Sequence, residues 1–274
     1  IASVLFNQAK KQSGAINSIQ VIKEKTEKKL AKFQNQTEAE RNLVVVSEIR
    51  KKNWYERYRW FMTSDGYLTI GGRDAASNSA VIRKHLEKND KVFHGDIFGS
   101  PFFILKDAEN VPDTTMNEIA HATVCFSRAW REALYGVSAY WVLPDQVKKS
   151  APSGEFLPKG SFTIEGQRNF IKSETLKLAV GIIQLEDNDH VLTCGPPEAI
   201  KKNSICYAII EPNGLEMAEC AKKIRLEFLK IFEDITRKIN IDEFVRALPA
   251  GKSQIKEISL GDLEKGKFID NELD

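Results

Sequence analysis

The sequence predicts an α+β protein with a mainly antiparallel sheet and packed helices, preceded by a long antiparallel helical hairpin of the coiled-coil kind. Three observations predict it. Over the first 60 residues apolar side chains recur at helical spacing among lysines. From Phe61 the pattern changes to short apolar runs punctuated by Gly, Pro and Asp. Strands and helices then mix without the βαβ rhythm of a doubly wound sheet.

In the first part, Val4, Leu5, Ile16, Ile19, Ile22, Leu30 and Phe33 define one amphipathic stripe. Gln34-Asn35-Gln36-Thr37 interrupts it, and Thr37 with Glu40 is a capping-box start for a second helix. That helix is expected to carry Leu43, Val46 and Ile49, then the aromatic run Trp54, Tyr55, Tyr58, Trp60 and Phe61, which could pack a core or stack on bases. The apolar stripe leaves self-association through the hairpin open. Because the sequence opens on Ile1, the hairpin is expected to continue from material upstream.

Next, Asp65-Gly66 between two apolar runs is the signature of a β-hairpin. Asp74 or Ser77 can cap a helix through Leu86, KVFHG and FFILK read as strands, and Thr114 opens a helix expected to run through Ala133. SAYWVL, SFTI, LKLAVGII, VLTC and CYAII are further strands, and Leu215 to Ile239 reads as one helix with Met217, Cys220, Ile224, Phe228 and Ile231 on one face. The polar stretch after Pro249 is expected to be a mobile tail. The domain reading is a hairpin at 1–60, an α+β domain at 61–190 and a C-terminal α/β extension at 191–274.

Composition narrows the function classes. The chain of 274 residues is 42% hydrophobic and 28% charged, an ordinary globular balance. It has no apolar run of the roughly 20 residues needed to cross a bilayer and no basic-then-apolar opening, so a cytoplasmic protein without a membrane partner is expected. Cys125, Cys194, Cys206 and Cys220 are too widely spaced for a zinc or redox pair and read as buried thiols. The net charge of +2 hides an asymmetry: residues 1–60 carry net +7 and residues 173–274 net −5. The basic end favours a polyanion.

The densest turn chemistry lies in DGYLTIGGRDAASN, FHGDIFGSPFF and VKKSAPSGEFLPKGSF. These runs are expected to form one RNA-reading surface. Arg73 can pair with a phosphate beside a helix start at Asp74 or Ser77 whose amides could face an anion, with Asn78 one turn on; the alternative is that Arg73 and Asp74 hold the turn. Lys148 and Lys149, with Lys159 and Arg168 beyond them, make a patch of net +3 over residues 146–172. His94 and Asp96 shape the middle loop. With Asp74 they are also the one cluster that could serve a metal-dependent RNA hydrolase. His85 and His121 fall on helices as packed or solvent-facing residues. No nucleophile elbow or Walker-type loop is present, so neither catalytic residues nor a cofactor or metal are expected.

GGRDAASN, the FHGDIFGS block, the FSRAW helix, SAYWVLPDQVKKSAPSGEFLPKGSF and GQRNF together resemble the NFACT-R domain of the NEMF and fibronectin-binding-protein-A-like family of ribosome quality control factors. The likeness is dense over residues 52–172. The basic hairpin is similar to that family's coiled-coil middle region, and EPNGLEMAECAKKI and IDEFVRALPAGKS to the C-terminal extension of archaeal members. The resemblance implies a non-enzymatic factor that binds large ribosomal subunits still holding a stalled nascent chain on tRNA. Such a factor contacts tRNA and rRNA and supports untemplated C-terminal tailing. The name of the bacterial relatives raises a surface adhesin as an alternative. The family's NFACT-N domain, to which much tRNA discrimination is attributed, has no counterpart in these residues.

Overall fold

The computed structural model describes residues 20, 23–27, 52–148, 161–185 and 189–263. The chain divides into two compact units, 1–47 and 48–274. In the first, residues 20 and 23–27 are helical, with Lys23 and Glu27 paired one turn apart at 3.9 Å. The rest of the expected hairpin, including its Thr37 start, lies outside the described residues.

Trp54 to Phe61 do not continue a helix as the sequence suggests: the first described element of the second unit is a 3-10 turn, Trp54–Arg57. Asn53 caps it reciprocally with Glu56, whose carboxylate accepts from the Asn53 amide at 2.7 Å. Strand β1 (Arg59–Met62) follows at once, because Tyr58 is already extended. Trp60 and Phe61 therefore point to opposite faces, as neighbours on a strand must. The spacing of Trp54, Tyr58 and Phe61 imitated a helix. Tyr58, Trp60 and Phe61 are buried, while Trp54 stacks on His85 at 4.3 Å.

The Asp65-Gly66 turn, with Gly66 at φ 86°, returns the chain to β2 (Leu68–Gly71), antiparallel to β1. Helix α1 (Ala75–Lys84) starts on Asp74, and β3 (Lys91–Gly95) and the wholly buried β4 (Phe102–Leu105) follow. Where one helix was expected from Thr114, two form: α2 (Asp113–Cys125) and α3 (Arg128–Glu132). Ser127 divides them, since its hydroxyl donates to the Val124 carbonyl at 2.6 Å and accepts from the Ala129 amide at 3.0 Å. Then come β5 (Ser138–Val142), the short pair β6 (Val147–Lys148) and β7 (Thr163–Ile164), and β8 (Asn169–Lys172). The first sheet is antiparallel throughout, in the order β1-β2-β4-β3-β5-β8.

A second antiparallel sheet has the order β10-β9-β11-β12, from β9 (Leu178–Gln184), β10 (His190–Gly195), β11 (Cys206–Leu215) and β12 (Ser253–Leu260). Helix α4 (Pro197–Asn203) joins β10 to β11. The long helix expected to Ile239 breaks at Phe232 into α5 (Met217–Ile231) and α6 (Glu233–Lys238), and Ile231 is exposed instead of lying on the buried face of Cys220, Ile224 and Phe228. Helix α7 (Ile241–Ala247) precedes β12. The stretch after Pro249 is thus not a tail up to Leu260: β12 pairs along β11.

One face of the first sheet buries Phe61, Phe93, Phe103 and Leu105 in a core that runs on through α2 and α3 to Val180, Ile182, Ala208 and Phe228 of the second sheet and α5. The other face buries Ile70, Val92, Ile104 and Val142 under Val81 and Ile82 of α1. All four cysteines are free and buried within the continuous core, and burial pushes the Cys194 and Cys206 thiols up to about 12. No described helix is long and apolar enough to cross a membrane.

Candidate nucleic-acid interface

On the α1 side of the first sheet, the pleat brings one ring from each of four strands into line. Phe102 of β4 lies opposite His94 of β3, His94 opposite Tyr140 of β5, and Tyr140 opposite Phe170 of β8. Successive ring centroids are 4.5, 5.8 and 5.5 Å apart. Only the outer ring is open: Phe102 and Tyr140 are 4% and 5% accessible, His94 between them is half-buried, and Phe170 is 56% accessible. Two residues before Phe170, on the same side of the chain, Arg168 lays its guanidinium 4.8 Å from the centre of the Tyr140 ring.

Phe102, His94 and Tyr140 of this row floor a groove of about 560 Å³, and Phe170 extends the row beyond it. One wall is the start of α1 with Arg73, Asp74 and Asn78; another is the loop Phe98–Pro101; Phe162 to Ile164 and Arg168 close the third. The loop is drawn tight by Ser100, whose hydroxyl accepts from the Gly95 amide at 2.8 Å and donates to the Pro101 carbonyl. It presents Phe98, 88% exposed, ahead of Gly99 at φ 80°. A large apolar ring thus stands exposed at the rim of the groove.

The family described as the NFACT protein RNA binding domain matches residues 57–166, which hold all of the groove's lining but Arg168. A relative named archaeal Rqc2 homolog aRqcH, from Methanocaldococcus jannaschii, is 35% identical over 216 residues, 78% of this chain and 31% of that protein. The chain carries the NFACT-R domain of the ribosome quality control family. The NEMF homologue of Drosophila melanogaster is 31% identical over 86% of this chain and 23% of its own length, and human NEMF is 36% identical over 50% and 13%. The chain thus spans less than a third of each of these relatives.

Within the NFACT-R domain the residues singled out by sequence have distinct placements. Asp74 caps α1: its carboxylate accepts from the Ser77 amide at 2.8 Å, and this bond together with the Ser77 hydroxyl holds its pKa below the usual range. That amide is therefore already taken, by a carboxylate. Arg73 reaches down through the wall and donates to the Tyr58 carbonyl at 2.8 Å and to the Arg246 carbonyl of α7; burial and the Arg246 charge lower it to about 10. Beside it Arg59 donates to the Ala247 and Leu248 carbonyls and lies 4.2 Å over Phe126. The C-terminal end of a helix carries partial negative charge, and that end of α7 is where both guanidinium groups are held.

Asn78 bridges to β4, its side-chain oxygen accepting from the Phe102 amide at 3.1 Å. It can do so because position 72 has no side chain: a Cβ on Gly72 would stand 1.9 Å from that oxygen and 2.7 Å from the Asn78 nitrogen. Gly72→Ala is expected to cost about 1–3 kcal/mol, read as a lower urea midpoint with an unchanged slope; a midpoint within error of the parent would contradict the clash.

Burial lowers His94 to about 4, helped by the Arg168 charge and opposed by hydrogen bonds with the Gly95 and Ser100 backbone, so the ring is neutral near pH 7. Asp96 is exposed just past β3 and outside the groove. Asp74, His94 and Asp96 do not converge closely enough to share an ion; among the described residues the acids that do are Glu87, Asp90 and Asp107. There Lys106 already sits 2.8 Å from Asp90. Lys148, on β6, donates to the Asp145 carbonyl at 2.9 Å and pairs with Glu165 at 3.7 Å. Lys149 and Lys159 lie outside the described residues. Phe98, Phe102 and Phe170 were not read from the sequence as site residues; the available signal was Arg168 and Phe170 two apart in GQRNF.

Proposed function

We propose that this chain is the RNA- and ribosome-binding part of a ribosome-associated quality control factor, working in the cytosol without chemistry of its own. It recognises large ribosomal subunits that still hold a stalled nascent chain on tRNA and supports C-terminal tailing, the peptide-bond chemistry being the ribosome's. The carrying observation is the groove: aromatic rings, an arginine and a polar helix start converge on one face of a domain whose family is described as RNA-binding. Arg168 and Lys148, with Lys149 and Lys159, serve the phosphate backbone; Asn78, His94 and Asp96 shape the surface; Arg73 and Asp74 fix the wall behind it. The expected helical hairpin ahead of Trp54 adds the most basic stretch of the chain and a route to self-association.

Co-sedimentation with purified large subunits across a salt series, with and without peptidyl-tRNA, tests this. Binding is expected to fall steeply with salt and to strengthen on the tRNA-blocked subunit. Arg168→Ala and Lys148→Ala should each reduce the slope of log affinity against log salt by about 1, since each lost phosphate contact releases one counterion fewer. A slope unchanged in the double variant would remove both residues from the interface.

A further inference from the structure

We infer that the groove, together with the exposed Phe170 ring that continues its row, takes unpaired bases of single-stranded RNA, stacked on Phe98 and Phe170, and not the backbone of a duplex. This deepens the reading of the chain as RNA-binding and rests on it. The inference comes from what the groove is made of. Its floor holds Phe102, His94 and Tyr140, its rim carries the exposed ring Phe98, and Phe170 continues the row beyond the lining as a second exposed ring, 5.5 Å from Tyr140. Among the described residues charge is sparse there. Of the two arginines in the wall, Arg73 spends its guanidinium on the Tyr58 and Arg246 carbonyls, and Asp74 places a carboxylate beside it. His94 adds a neutral imidazole.

A duplex reader needs the opposite composition. The bases of an A-form helix are stacked inside and shielded, so proteins grip it through many phosphate and 2′-hydroxyl contacts along its surface. Exposed aromatic faces gain nothing from such a ligand. Single strands offer a π-face at every base, and a ring supplies affinity with little dependence on which base arrives. Arg168 fits the same ligand: held against Tyr140 and two residues from Phe170, it stands where the phosphate of a nucleotide stacked on Phe170 would pass. Phe102 and Tyr140 are too buried to stack themselves; they hold the outer ring at its angle.

The test uses the full chain and four fluorescent RNAs of equal length: oligo(A), oligo(U), an abasic strand with the same phosphates, and a blunt duplex. Both single strands are expected to bind, and the abasic strand and the duplex to bind at least tenfold more weakly. Phe170→Ala and Phe98→Ala should each weaken oligo(A) binding by about 5- to 100-fold with the salt slope unchanged, and Phe170→Tyr should restore it. Because both side chains are exposed, these variants are expected to keep the parent fold, which circular dichroism checks. A 2-aminopurine reporter in the strand should be quenched on binding to the parent chain and not to Phe170→Ala. Equal binding of base-bearing and abasic strands, or tighter binding of the duplex, overturns the inference while leaving the RNA-binding reading intact. If none of the four RNAs binds, that broader reading fails with it.

Discussion

Trp130→Ala should lower the unfolding free energy by about 3–5 kcal/mol, the range for deleting a fully buried aromatic side chain. Trp130 is 1% exposed on α3, and its indole nitrogen donates to the Lys252 carbonyl and the Ser253 hydroxyl, each at 3.2 Å. The substitution therefore opens a cavity in the shared core and also removes the one N–H shared by the Lys252 carbonyl and the Ser253 hydroxyl at the start of β12, which lies far away in sequence. Trp130→Phe keeps most of the volume and loses only the N–H, so its cost should be about 1–3 kcal/mol. Urea denaturation followed by far-ultraviolet circular dichroism gives both values. An alanine variant within about 1 kcal/mol of the parent would show that β12 does not depend on this anchor.

Acid should unfold the domain through His94. In the folded chain its pKa is about 4 against an ordinary 6.5, so between those values the unfolded chain binds the proton and the folded chain refuses it. Stability is then full above about pH 6.5 and falls as pH drops toward 4, by roughly 3 kcal/mol at most. His121 and His85 are lowered by burial too and steepen the same limb, whereas Glu118, pushed up by burial, works against it. Asp65 and Asp74, held low by hydrogen bonds from Thr114 and Ser77, give way only below the ordinary carboxylate range. The comparison that isolates His94 is therefore parent against His94→Gln, with denaturation midpoints at about pH 7 and about pH 4.5. The variant should lose much of the pH dependence; parallel profiles would place the acid sensitivity elsewhere.

Local chemistry was legible and long-range assembly was not. The Asp65-Gly66 turn, the Asp74 cap, KVFHG, FFILK and SAYWVL could be read directly, because each carries its own turn residues or unbroken apolar pattern. The breaks at Ser127 and Phe232 were hidden because apolar spacing continues across them. Strands β8 and β12 escaped notice for a different reason: both are sheet edges, β8 alternates only between half-buried and exposed positions with Phe170 on the exposed side, and β12 has no regular alternation, so the sequence has no apolar-polar period to show. The site was harder still. Arg73, Asp74, Asn78, His94 and Arg168 were named from turn chemistry, and the fold does gather them around one groove. The ring row that gives the groove its character comes from four strands, and only register places Phe102, His94, Tyr140 and Phe170 side by side.

The difference in burial along that row separates two kinds of selection. A change at Phe102 or Tyr140 is paid for in folding, whatever ligand the groove holds, so those inner positions are constrained in every descendant. Phe170 and Phe98 contribute little to the core, and a lineage can exchange them for other residues at almost no cost to the scaffold. Ligand preference can therefore drift at the outer positions while the inner ones preserve the platform that makes such drift survivable.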